Sequence, residues 1–184
     1  MLKKLRVPKV KIAPSILAAD FSRLKDQIKL AEQGGADWLH LDVMDGAFVS
    51  QITFNDLAKL KEVLADQSRQ GQGFEAHLMV LHPLATLPGW LEAGAKRILF
   101  HLESQDDPWL VIERVKQYAQ KVNRVNKVDK VNREVGIVLN PETAWQKIEP
   151  YIKDLDLVMF MGVRPGKSGQ GFNPEVWERI RSFH

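Results

Sequence analysis

Cysteine is absent from all 184 residues. Disulfides and thiolate metal sites are thereby excluded, and any metal must be held by His, Asp or Glu. No apolar run approaches the about 18 residues that a membrane-spanning helix needs. The N-terminal residues 1–17 are basic and then apolar, without the long apolar core and small-residue cleavage site of a secretory signal. An intracellular protein is the simple reading. Excess charge of one sign is also missing: 26 Lys and Arg face 23 Asp and Glu, for a net charge of +3. Those charges are dispersed, whereas a nucleic-acid binder concentrates them in a patch. Residues 121–133, KVNRVNKVDKVNR, are the exception. They read either as a basic patch or as a solvated insertion, and the second is favoured because charge runs are usually solvated. No GxGxxG follows the first predicted strand, which speaks against a dinucleotide-binding sheet.

What is present is an ordinary globular composition, 45% hydrophobic and 27% charged, long enough for one domain with its own core. Short apolar strands alternate with amphipathic helices. Strands are expected over 10–16, 37–43, 74–80, 97–102, 134–139 and 155–161. Helices are expected over about 22–33, from an N-cap at Asn55, up to Ala93-Gly94, from Pro108, after Asn140-Pro141, and from Asn173-Pro174. Six strand–helix units in a row imply a parallel sheet with helices outside it. Both a doubly wound sheet and a TIM barrel satisfy that pattern, and a barrel needs eight units.

Side chains alternate across a strand. In Trp38 to Met44, the residues Leu39, Leu41 and Val43 therefore face the helices, and His40, Asp42 and Met44 face the inner side. In Glu75 to Val80, the residues Glu75, His77 and Met79 share a face in the same way. Buried His and Asp are costly unless paired. A metal ion would satisfy them, and so would a hydrogen-bonded pair; two His and one Asp on neighbouring strands favour the metal. His101 is a weaker candidate, able simply to cap its strand, and His82 beside Pro83 reads as loop. The Gly-rich segment 162–171 between a strand and a helix suits either phosphate binding through backbone N–H groups or a plain flexible loop, with Lys167 adding charge or staying solvated.

Ile12 to Phe21 (IAPSILAADF) and Gly35 to Gly46 (GADWLHLDVMDG) resemble the two most distinctive motifs of the ribulose-phosphate 3-epimerase family. His77-Leu78-Met79, Ala93-Gly94-Ala95, Gly136 to Pro141 and Pro165-Gly166 with Gly169-Gln170 follow in that family's order and spacing. The resemblance spans nearly the whole chain. It implies an α/β fold, a TIM (β/α)8 barrel of the ribulose-phosphate-binding type with about six of its eight units present, so that residues 1–184 form a single incomplete barrel domain. It implies a cytoplasmic isomerase of the pentose phosphate pathway, interconverting D-ribulose 5-phosphate and D-xylulose 5-phosphate through an enediolate. A divalent cation (Zn, Mn or Fe) is implied, with His40, Asp42 and His77 as its ligands and Asp42 also as the proton acceptor. The implied substrate contacts are Ser15, His77, Met44, Met79, Met161 and the loop Gly166, Lys167, Ser168 and Gly169. The partner is a ketose phosphate, not a nucleic acid or membrane, and a homo-oligomer is left open. The second catalytic acid, an Asp on a seventh strand in the family, is not among these residues. Ala47, Val49-Ser50-Gln51, Gly162, Arg164 and Lys167-Ser168 depart from the family's usual residues. Alternatives are a non-catalytic member of the family and a hexulose-phosphate 3-epimerase.

Overall fold

The computed structural model describes residues 10–53, 57–64, 73–125 and 132–183. The expected N-cap at Asn55 and positions 126–131 of the basic stretch lie outside them. Five parallel strands form one sheet: β1 (Trp38–Met44), β2 (Gly73–Met79), β3 (Arg97–His101), β4 (Glu134–Leu139) and β5 (Leu157–Phe160). Helix α1 (Leu24–Gln33) precedes β1, the helices α2 (Leu57–Leu64), α3 (Pro83–Glu92) and α4 (Pro108–Val125) connect β1 through β4, and α5 (Val176–Phe183) follows β5. The strands lie side by side in chain order. A doubly wound sheet reverses its strand order at a switch point; this sheet does not, so the architecture is that of part of a (β/α)8 barrel.

The first expected strand contracts to one parallel bridge, Ser15 to His40. Pro14 has no N–H to donate to a ladder. Its segment is still held alongside β1: His40 N–H donates to the Pro14 carbonyl (3.0 Å), Ile16 N–H donates to the His40 carbonyl (3.1 Å), and the Ile12 carbonyl accepts from Asp37 N–H (2.8 Å). The expected fifth helix is replaced by two short 3₁₀ turns, Trp145–Ile148 and Ile152–Asp154. Pro150 between them cannot donate the next helical hydrogen bond, which ends the first turn. The last helix starts at Val176 rather than at Asn173; Asn173 caps from outside, its side-chain oxygen accepting from Glu175 N–H at 3.0 Å.

Alternation divides the sheet into two faces. Leu39, Leu41, Ala76, Leu78, Ile98, Phe100, Val135 and Ile137 are sealed against the helices. Burying a side chain of leucine or isoleucine size contributes about 1.5–3 kcal/mol, so this outer layer fastens the helices to the sheet. α1 supplies Leu24 and Ile28 to it, and α3 supplies Leu87, Trp90 and Leu91. The opposite face carries a smaller apolar cluster of Leu99, Val138 and Met161 and, towards β1 and β2, the polar residues of the candidate site.

Candidate functional site

Register decides which inward side chains meet. Asp42 pairs with His77, Met44 with Met79, and His40 with Glu75 across the β1–β2 ladder. His40, Asp42 and His77 are all buried, and one donor atom from each converges. His40 Nε2 lies 3.2 Å from Asp42 Oδ1, His77 Nδ1 lies 2.9 Å from the same oxygen, and the two ring nitrogens are 3.2 Å apart. A triangle of that edge has its corners about 1.8 Å from its centre, just inside the roughly 2.0–2.2 Å that zinc takes to nitrogen and oxygen donors.

The electrostatics point the same way. Glu75 Oε1 is 2.6 Å from His40 Nδ1, so that nitrogen donates and Nε2 turns its lone pair inward in the neutral ring. Without a cation the cluster needs a proton there. Burial pulls His40 down, but hydrogen bonds to Asp42 and Glu75 outweigh it and raise its pKa to about 9. Burial pushes Asp42 up, but His40 and His77 hold it far below the usual carboxylate range. His77, fully enclosed, is lowered to about 4 mainly by burial, although the nearby Asp42 carboxylate favours its charged form, and it is neutral. The cluster therefore attracts one positive charge between three donors, and its His2Asp set could hold a metal ion.

These residues floor a cavity of about 510 Å³ lined by Ser15, His40, Asp42, Met44, Glu75, His77, Met79, Met161, Gly166, Lys167 and Ser168, all singled out in the sequence. Ser15 Oγ donates to Asp42 Oδ2, the carboxylate oxygen turned away from the histidines. Among the described residues, the acids lining the cavity are Asp42 and Glu75. Glu75 is occupied: its second oxygen accepts from Arg97 at 2.7 Å, and Arg97 also pairs with Glu134 at 2.6 Å.

Gly166, with φ at 111°, sits in the left-handed region that L side chains avoid, and a Cβ there would meet Gln51 Oε1 at 2.9 Å. It is thus fitted against the loop that follows β1. Gln170 Nε2 closes the glycine loop by donating to the carbonyls of Arg164 (2.7 Å) and Lys167 (2.8 Å). Gly169 shares the loop, at φ 72°, without lining the cavity. Arg164, one of the departures from the family pattern, pairs with Glu142.

His101 is brought to the site but not into the cluster, since its Nε2 faces the far nitrogen of His77 at 2.9 Å. His82 is a loop residue, as expected, paired with Asp106. Sequence reasoning did not single out Met159 as a site residue, although it lines the cavity and shares the parity of Met161 that could have found it. Asp45 was likewise not singled out as a site residue. Its carboxylate accepts from Ala47 and Phe48 N–H (both 2.9 Å) and from Leu81 N–H (2.7 Å), tying the loop after β1 to the end of β2.

Residues 11–184 match the model of the ribulose-phosphate 3 epimerase family. Among curated proteins, the chain is similar to a ribulose-phosphate 3-epimerase of Synechocystis sp., 37% identical over 94% of this chain and 68% of the relative. A ribulose-phosphate 3-epimerase of Bacillus subtilis is 38% identical over 94% of this chain and 71% of its own length. One of Schizosaccharomyces pombe is 34% identical over 92% and 68%. The chain thus spans about two thirds of the length of the curated relatives it matches.

Proposed function

Since this chain belongs to the ribulose-phosphate 3-epimerase family, we propose that it inverts C3 of D-ribulose 5-phosphate to give D-xylulose 5-phosphate, with Asp42 as the base. The observation that carries this reading is the convergence of His40, Asp42 and His77 on the floor of a methionine-lined cavity with a glycine loop at its rim. The relatives' shared name favours the pentulose over a hexulose phosphate, and a working site over a non-catalytic one. A divalent ion, which His40, Asp42 and His77 would hold, would supply Lewis-acid stabilisation of the enediolate's negative charge; the donor set suits Zn²⁺, Mn²⁺ and Fe²⁺ alike.

The chain's own residues do the rest. The C3 proton is acidified by the neighbouring C2 ketone, and Asp42 takes it, leaving an enediolate. Ser15, hydrogen-bonded to the outer oxygen of Asp42, fixes the carboxylate and offers the substrate a hydroxyl. Met44, Met79 and Met161 wall the cavity with thioethers, which have no proton to give to a planar intermediate. His77 meets the substrate at the floor. The loop Gly166–Gly169 takes the phosphate on backbone N–H groups, with Lys167 and Ser168 at the rim. The acid that returns a proton to the opposite face is the one the family carries on its seventh strand. With the activity goes a cytoplasmic location, and a homo-oligomer is compatible with the reading. No helix among the described residues is long and apolar enough to cross a membrane.

The test is NMR of D-ribulose 5-phosphate in D₂O with the chain and Zn²⁺, following C3. Deuterium is expected to enter at C3, and Asp42→Asn to slow that exchange by about 10²–10⁴-fold. Near-normal exchange in Asp42→Asn would sink the assigned base.

A further inference from the structure

Each histidine of the cluster leans on a carboxylate, but by different routes. His40 reaches Glu75 directly. His77 reaches one only through a second ring: His77 Nε2 lies 2.9 Å from His101 Nε2, and His101 Nδ1 lies 3.3 Å from Glu103 Oε2. His101 is wholly buried, and its ring packs against Phe48 with centroids 4.8 Å apart. Glu103 takes the Asn140 N–H at 3.0 Å and the Thr143 hydroxyl on its other oxygen.

Proton bookkeeping along this line has one solution for neutral rings. Glu103 is a carboxylate, since burial is outweighed by the donors around it, so it can only accept. His101 Nδ1 must then carry hydrogen and donate, and its Nε2 is left as an acceptor. His77 Nε2 must therefore donate to it. The remaining nitrogen of His77, Nδ1, is left with a bare lone pair pointing at Asp42 Oδ1, 2.9 Å away. A lone pair against a carboxylate oxygen is repulsive unless a cation lies between them.

We propose that His101 and Glu103 form a buried relay that fixes the tautomer and orientation of His77, so that its Nδ1 is presented as the third donor to a cation shared with His40 and Asp42. They are positioning residues, acting through His77. The reading rests on the metal site proposed above and adds to it the part that β3 and its following loop contribute. Partners of this kind orient metal-ligating imidazoles, and their loss typically weakens metal binding by about 10–100-fold. Phe48 closes the relay from the side, and the Thr143 and Asn140 contacts tether it to the segment after β4.

The test uses the full chain labelled with ¹⁵N at histidine, without metal and with Zn²⁺, together with a chelator competition that measures Zn²⁺ affinity. Long-range ¹H–¹⁵N spectra are expected to show His101 in its Nδ1–H tautomer, the less common one for a free neutral imidazole, in both states. With Zn²⁺, His77 should be metallated at Nδ1 and protonated at Nε2. His101→Leu should weaken Zn²⁺ binding by about 10–100-fold, and His101→Gln, whose amide oxygen can still accept, should recover part of the loss. His101 protonated at Nε2, His77 ligating through Nε2, or wild-type affinity in a folded His101→Leu chain would each overturn the relay. The wild-type spectra decide even if His101→Leu does not fold. Failure of the unmodified chain to bind Zn²⁺ would instead overturn the metal site, with the relay still judged on the tautomers of the metal-free chain.

Discussion

Glu75→Gln separates two jobs that one side chain holds. The carboxylate is 5% exposed and accepts from His40 Nδ1 at 2.6 Å and from Arg97 at 2.7 Å. Glutamine keeps the shape but only one acceptor oxygen, so its NH₂ must face one of the two donors. Losing one charge-assisted hydrogen bond and opposing donor to donor costs about 1.5–3 kcal/mol. For 184 residues each kcal/mol lowers Tm by about 2–4 °C, so a drop of roughly 3–12 °C is expected in the metal-free chain. Independently, His40 loses the partner that holds its ring and tautomer, and Zn²⁺ affinity should fall by about 10–100-fold. Thermal unfolding without metal and chelator competition with Zn²⁺ read the two effects apart. Glu134→Gln is the control, since Glu134 meets Arg97 but has no hydrogen bond to His40; it should lower Tm with Zn²⁺ affinity intact. A Glu75→Gln chain that loses stability but binds Zn²⁺ as well as the parent would refute the positioning of His40, and one with unchanged Tm would refute the buried double acceptance.

Lys167 is exposed at the cavity rim, so Lys167→Ala should raise KM for the ketose phosphate about fivefold, for a contact of roughly 1 kcal/mol, with kcat near its parent value; an unchanged KM would mean that the lysine stays in solvent. Burial pushes the Asp45 carboxyl up, but backbone N–H donors outweigh it and hold it below its ordinary 3.8. A depressed carboxyl contributes stability above its unfolded value and loses it as pH falls through the folded one. Asp45→Asn should therefore be less stable than the parent by about 1 kcal/mol near pH 7, and the gap should close below pH 3.8; a gap independent of pH would count against this role.

The strand parity of residues 38–44 and 75–80 was enough to put His40, Asp42, Met44, Glu75, His77 and Met79 on one inner face, because period-2 alternation is a local property. Strand order was not legible, since periodicity is the same in a doubly wound sheet; the side-by-side order in the structure resolves it. The fifth helix was misread because the pattern after Pro141 is helical, while Pro150 stops it after one turn. The reach of His101 was hidden for another reason. It depends on β3 standing in register with β2, His77 opposite Leu99, which places His101 two residues further along the neighbouring strand. No spacing within the sequence reports that offset. The Ser15 contact to Asp42 likewise joins residues 27 positions apart in the sequence.

One row of the inner face runs His40, Glu75, Arg97, Glu134 across four consecutive strands, each opposite the next. Parallel sheets built from uniformly apolar strands have little to tell one alignment from another, because Val, Ile and Leu substitute for each other at small energetic difference. Here the signs alternate. Sliding β3 by two residues along β2 would preserve the faces but set Leu99 against Glu75 and draw Arg97 away from both carboxylates. Removing one member of a buried pair is strongly destabilising, by about 3–5 kcal/mol. The row therefore works as an indexing key: it lets a misaligned sheet be told from the correct one while the hydrophobic layer is indifferent, and the correct index is the one that brings Asp42 level with His77.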